Sequence, residues 1–305
     1  HLRKLRRDPE MGGWRRPDDE ELPDILRVQA CARELAQGFY MRWRFPRNEP
    51  LPLRLEWFAR RQDFNREMRE KLKHPEAHLD SPFLCVKAAI RWYEGGCSVC
   101  HRGPEEFHAD NCHGAETRPL WPSYTWPSWI EMTDTIEHET EVVWEDDYLV
   151  RDAAEWAKEK PGIIWVEHPA VGEKIAQLSG FRYYGGGDKA SIDILKVDGK
   201  QSIICSMRAR SEGLNLQTAF WRNFIVAPPS DNGLVEQVVG RTHRPGQPED
   251  EVEIWFNRHT SELADALDKA RSRAKYVLDT TGASQKLCLA SWVLRGEQKI
   301  ARKGK

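Results

Sequence analysis

Between residues 163 and 277 the chain alternates short apolar runs with amphipathic stretches, and that alternation leaves few folds open. The runs 163–167, 181–184, 202–206, 223–227 and 251–256 have the length and character of buried strands. Helical patterns separate them at 170–178, at 191–196 and from about Asn232. A last one follows at 261–278, where Leu263, Leu267, Ala270, Ala274 and Val277 recur at helical spacing behind Thr260 or Ser261 as N-cap. Strands alternating with helices predict an α/β fold, a parallel sheet with helices on both faces. In such a sheet the sites lie at the carboxyl ends of the strands.

Upstream the pattern differs. Residues 1–23 are basic, then acidic, without periodicity, and read as a linker. Residues 24–160 read as a mainly helical accessory region. It has helices at 25–37, 53–73, 83–93 and 147–160, and a strand at 39–45 that Pro46 stops. Residues 281–305 form a Lys/Arg-bearing tail. The net charge is only −2, but ten Lys/Arg stand against five Asp/Glu between 42 and 73, and 131–160 is strongly acidic. The basic stretch suits either a phosphate backbone or a solvated helix face. Thirteen Trp suggest packing first and base stacking second. No apolar run is long enough to span a membrane and no secretory pattern opens the chain.

Cysteine usage points to a reducing, cytoplasmic setting with one metal site. Within 95–114, Cys97 and Cys100 form a Cys-x2-Cys pair, followed by His108 and Cys112, a donor set suited to tetrahedral Zn2+. His101 and His113 are alternative fourth ligands. Cys-x2-Cys-His also attaches c-type haem, which would need export, and free thiols in a loop remain the plain alternative.

Two stretches carry the chemistry. Ser206-Met-Arg-Ala-Arg-Ser-Glu-Gly-Leu-Asn-Leu-Gln217 follows the end of an expected strand. Downstream stands Gln237-Val-Val-Gly-Arg-Thr-His-Arg-Pro-Gly-Gln247. The second reads as a helix, and its spacings of four and three put Gln237, Arg241 and Arg244 on one face. Two converging guanidiniums match a concentrated negative charge such as a transferring phosphoryl group.

The second stretch resembles motif VI of superfamily-two helicases, most nearly the Swi/Snf-type branch, through Gln237, Arg241, His243, Arg244, Gly246 and Gln247. The first resembles motif V of that branch through Gly213-Leu-Asn-Leu216, although Ala209 to Glu212 replaces the usual Gly-rich centre. The upstream layout is similar to helicase-like proteins of phages and mobile elements. The resemblance implies that 161–280 is a C-terminal RecA-like helicase lobe. It implies Arg241 and Arg244 as catalytic arginine fingers, and Gln237, Gly213 and Asn215 as nucleotide-side contacts. Ser206 and Arg208 would touch nucleic acid, DNA rather than RNA.

The sequence has no Walker A loop, since the Lys in Gly185-Gly-Gly-Asp-Lys-Ala-Ser191 is wrongly spaced. Glu145 to Asp147 read as a helix start rather than a Walker B end. ATP with Mg2+ is therefore expected to be shared with a RecA-like lobe N-terminal to His1 in the same polypeptide, and the chain alone is expected to be inactive. The competing expectation is a non-catalytic module that binds nucleic acid or protein.

Overall fold

The computed structural model describes residues 5–7, 13–22, 25–71, 87, 125–210 and 214–292. They fall into two compact units. One runs up to Leu35 and from Phe39 to Glu145; the other comprises Ala36–Gly38 and the chain from Asp146 onward.

The first unit begins with three two-residue antiparallel strands, β1 (Arg6–Arg7), β2 (Trp14–Arg15) and β3 (Glu21–Leu22). The expected linker at 1–23 is thus partly built into the unit. Leu5 and Leu22 are buried with Val28, Cys31 and Leu35 of α1 (Ile25–Ala36) and with Tyr40. Strands this short show no period in sequence, and their burial comes from a helix that follows them. Ile25 at the start of α1 is 61% exposed, so the buried stripe of this helix starts at Val28.

β4 (Phe39–Arg44) pairs antiparallel with β5 (Glu139–Trp144), a strand the helical expectation for this region lacked. The register sets Arg42 opposite Glu141 and Arg44 opposite Glu139. Both pairs close as ion pairs, and Arg47 reaches Glu137 just beyond. α2 (Leu51–Lys71) buries Trp57, Phe64 and Met68 and packs on α3 (Trp126–Thr133). Trp57 meets Trp129 at 5.3 Å and Phe64 meets Trp126 at 5.4 Å between ring centres. Further along, Arg60 pairs with Glu56, Arg66 with Asp63, and Arg61 with the buried Glu20. Six basic residues of the stretch, all among the described residues, are therefore matched by carboxylates.

The second unit holds the parallel sheet. Its strands are β6 (Ile163–Val166), β7 (Tyr183–Tyr184), β8 (Ile203–Ser206), β9 (Arg222–Ile225) and β10 (Glu253–Phe256), in spatial order β10-β9-β6-β8-β7. All four pairings are parallel. Each expected strand is present, a residue or more shorter than its apolar run. The helices are α4 (Tyr148–Glu159), α5 (Pro169–Ser179), α6 (Asp188–Ile194), α7 (Met207–Arg210), α8 (Asn232–Val239), α9 (Ser261–Thr281) and α10 (Lys286–Leu289).

Ile163, Trp165, Ile203, Cys205 and Ile225 join one core with Val235, Val238, Ala270, Ala274 and Leu287 of α8, α9 and α10. The alternate residues face the other way by the strand's period of two. There Trp156 of α4 meets Phe224 at 5.3 Å, and α5 packs on α4 and β8. The fold is thus α/β with helices on both faces, the architecture expected of a RecA-like lobe.

Two expected boundaries move. α4 was assigned to the accessory region ending at 160, but it packs on α5 and belongs with the sheet. The expected tail from 281 opens with α10, whose Leu287 is in the core. The carboxylate of Glu236 accepts from the Lys286 and Leu287 amides and pairs with the Lys286 ammonium at 3.1 Å. Among the described residues, no helix is long and apolar enough to cross a membrane.

α5 starts with a histidine cap. His168 Nδ1 accepts from the Ala170 amide at 3.2 Å, and Pro169 takes the first helical position, where a missing N–H costs nothing. The acceptor role needs a neutral ring. Burial holds the His168 imidazole below its ordinary value, against the opposing pull of Glu167 and Glu173. Burial lowers His259 in the same way. A depressed folded-state value means the unfolded chain binds more protons, so this stabilisation is full above the unfolded value of about 6.5 and is lost as pH falls through the folded value. Urea titrations should show the midpoint falling from pH 7.5 to pH 5. His168→Asn, which keeps a capping acceptor without titrating, should flatten part of that slope; an unchanged slope would remove His168 as its source.

Candidate functional site

The stretch containing Gln237, Arg241 and Arg244 starts as a helix and does not finish as one. Asp231 caps α8 by accepting from the Gly233 amide at 2.8 Å. The helix stops at Val239. Gly240 bonds back to Glu236, and the amides of Arg241 and Thr242 then reach only three residues back, to Val238 and Val239. Glycine favours such a stop, and a Cβ at 240 would sit 2.8 Å from the Glu236 carbonyl. The expected common helical face is therefore absent. Gln237 is exposed on α8, while Arg241 and Arg244 belong to the turn beyond it.

The two arginines are used differently. Arg241 is only 7% exposed, and its Nη1 donates to the Leu214 carbonyl at 2.9 Å. In return its own carbonyl accepts from the Leu216 amide at 3.1 Å. These two bonds lock the segment 214–216 to the turn 241–244. Arg244 is half-buried, and its Nη1 donates to Asn215 Oδ1 at 2.7 Å. A guanidinium has five N–H donors, and the Asn215 bond fixes its direction while using one of them. The structure thus brings together Arg241, Arg244 and Asn215, drawn from the two motif-like stretches. Gly213 lies outside the described residues.

Beneath the turn runs a polar relay that reading the sequence missed. Trp165 Nε1 donates to Asn223 Oδ1 at 3.0 Å. Asn223 Nδ2 donates to Thr242 Oγ1 at 2.8 Å and to the Glu253 carbonyl at 3.3 Å. Thr242 Oγ1 donates on to the Val239 carbonyl at 3.2 Å. Gln247 holds the turn from its far side, its Nε2 donating to the carbonyls of Thr242 and Phe220 at 3.0 and 2.9 Å. Trp165, Asn223 and Thr242 are fully buried. Left unbonded there, each polar group would cost about 1–3 kcal/mol. The available signal was an Asn at the head of the apolar run 223–227.

At the carboxyl ends of β6 and β8 stand the expected nucleic-acid contacts. Ser206 is buried, and its hydroxyl accepts from the Ala209 amide at 3.3 Å. Burial pushes the titration of the neighbouring Tyr183 phenol upward. Arg208 is 77% exposed and pairs loosely with Glu167 at 3.6 Å. Arg210 is buried, its Nη2 on the Gly187 carbonyl at 3.0 Å. Of the two expected contacts, Ser206 is occupied within the fold and Arg208 projects from it.

Glu145 to Asp147 follow β5 in its antiparallel pair and lead into α4 with Asp147 as N-cap residue, as read from the sequence. The expected zinc ligands Cys97, Cys100, His108 and Cys112 lie outside the described residues. Among the described residues, no group of three or more His, Cys, Asp or Glu could hold a metal ion.

No protein-family model and no curated protein matches the chain. Among solved structures it is similar to T4 UvsW at 16% identity and a TM-score of 0.33, covering 42% of this chain and 32% of that one. It is also similar to the C-terminal part of the Fun30 ATPase domain at 14% identity and a TM-score of 0.33, covering 71% of each chain. The chain spans about a third of the UvsW chain. Superpositions this loose assign no residue roles, and the stretches around Ser206 and Gln237 carry the resemblance themselves.

Proposed function

We infer that this chain is the arginine-bearing half of an ATP-dependent nucleic-acid translocase, with DNA as its strand. The observation that supports it best is Arg244, a partly exposed guanidinium aimed by Asn215 on a turn locked to the 214–216 segment. ATP with Mg2+ would lie between this lobe and a RecA-like lobe preceding His1 in the same polypeptide, which would supply the Walker A and Walker B residues. Arg244 would set its charge against the phosphates, and Gln237 would contribute from α8. Arg241 would act as the brace that holds Asn215 and Arg244 together. Arg208, at the end of β8, would take a strand phosphate. The same proposal keeps a structural Zn2+ on Cys97, Cys100, His108 and Cys112.

One observation favours the second reading, a passive module that binds nucleic acid or protein: Arg241 is already committed to an internal carbonyl. The two arginines separate the readings. In the polypeptide completed with a phosphate-binding lobe, Arg244→Ala should lower nucleic-acid-stimulated ATP turnover by on the order of 10³-fold. Its DNA affinity should stay within about twofold, because no contact to a strand phosphate is removed. Turnover unchanged by Arg244→Ala would leave the passive module as the answer.

Arg241→Ala should instead destabilise the chain by about 2–3 kcal/mol in urea titration, since the buried Leu214 carbonyl loses its donor. Arg244→Ala should change stability by about 0.5 kcal/mol or less. Equal effects from both would contradict the division of labour. Arg208→Ala should reduce the slope of log affinity against log salt by about one while weakening all sequences alike. A slope that does not change would take Arg208 out of the phosphate contacts.

A further inference from the structure

We propose that Asn223 is a positioning residue, which seats the 241–244 turn on the sheet through Thr242 and so fixes where the two arginines stand. The inference rests on the reading that this turn faces the nucleotide. Asn223 sits in β9, between β6 and β10, and is fully buried on the face that carries Ile225 and Trp165. Asn223 is paired by its backbone with Ile163 of β6 on one side and Ile254 of β10 on the other, so its side-chain amide adds to the strand pairing rather than forming it.

The amide has one defined orientation. An indole N–H only donates and a backbone carbonyl only accepts, so Trp165 must face Oδ1 and the Glu253 carbonyl must face Nδ2. The remaining Nδ2 hydrogen then points at Thr242 Oγ1, 2.8 Å away. That hydroxyl hands its own proton to the Val239 carbonyl, the last residue of α8. Thr242 is next to Arg241 and two residues before Arg244, and its carbonyl accepts from the Arg244 amide at 3.2 Å. The relay thus ties the centre of the sheet to the residue that lies between the two arginines. Without the relay the turn would still be held by its bonds to Leu214 and Leu216 and by Gln247, none of which joins it to a strand of the sheet.

The test uses the whole chain. Thr242→Val removes the hydroxyl and keeps the shape, Asn223→Leu removes the amide, and Thr242→Ser keeps the hydroxyl while losing the methyl. Amide hydrogen exchange would be read at Arg241, Thr242 and Arg244, with Ile164 and Phe224 as sheet references. Arg241 would also be challenged with phenylglyoxal, which modifies accessible guanidinium groups.

The expected result is exchange at the turn faster by about tenfold or more in Thr242→Val and Asn223→Leu, with the sheet references unchanged and Arg241 newly reactive. Thr242→Ser should stay within about twofold of the parent chain. Unchanged exchange at the turn would overturn the proposal. So would an equal rise at Ile164 and Phe224, which would make Asn223 a support of the sheet alone. Should Asn223→Leu not fold, Thr242→Val, which leaves every strand residue in place, decides. Neither readout involves nucleotide, so a failure of Arg244→Ala to alter turnover would overturn the ATP reading separately.

Discussion

The lobe depends on β6. Its four residues are wholly buried, with β8 hydrogen-bonded along one edge and β9 along the other. The connection leaving β6 runs through α5 to β7, the strand at the far side of β8, whereas β9 and β10 extend the sheet in the opposite direction. A strand with neighbours on both sides and helices above and below cannot slip by one residue without turning Trp165 into the wrong core. The loops at the carboxyl ends of β6 and β8 and the turn beyond α8 are all placed relative to that register. Trp165 links the two roles, packing in the core by its ring and holding Asn223 by its N–H.

Much of this was legible in the sequence for a simple reason. Buried strands must be apolar and parallel ones must be separated by crossovers, so the runs at 163, 203 and 223 announce themselves. The helix at Ser261–Thr281 did so too, through its spacing and through Thr260, whose hydroxyl caps the Leu263 amide. What stayed hidden depends on groups distant in sequence. Nothing local says that Arg241 will turn inward, because its partner is the carbonyl of Leu214. Leu287 looks like part of a polar tail until α8 and α9 are there to bury it.

The pairing of β4 with β5 lies between these cases. Arg42, Arg44 and Arg47 face Glu141, Glu139 and Glu137 across nearly a hundred residues of chain. The basic and acidic stretches were each visible, and alternate-residue charge on both was the unused signal of an antiparallel ladder. Each pair is exposed and contributes little on its own. The charge pattern that invited a polyanion is, for these residues, an internal match. In the site, likewise, two arginines of similar sequence context divide into an internal brace and an outward group, and burial alone makes the difference.

The junction of α8 and α10 has a mechanical consequence. Glu236, one residue before Gln237, holds both the backbone and the ammonium of Lys286, and Trp292 stacks on Phe256 at 5.8 Å with the Arg271 guanidinium over its ring. A load applied to the chain beyond Trp292 therefore enters the lobe at two fixed points rather than through a slack hinge. The first is the edge strand of the sheet. The second is the helix that carries Gln237 and leads directly into the arginine turn, so a pull at one end of this lobe is a torque at the other.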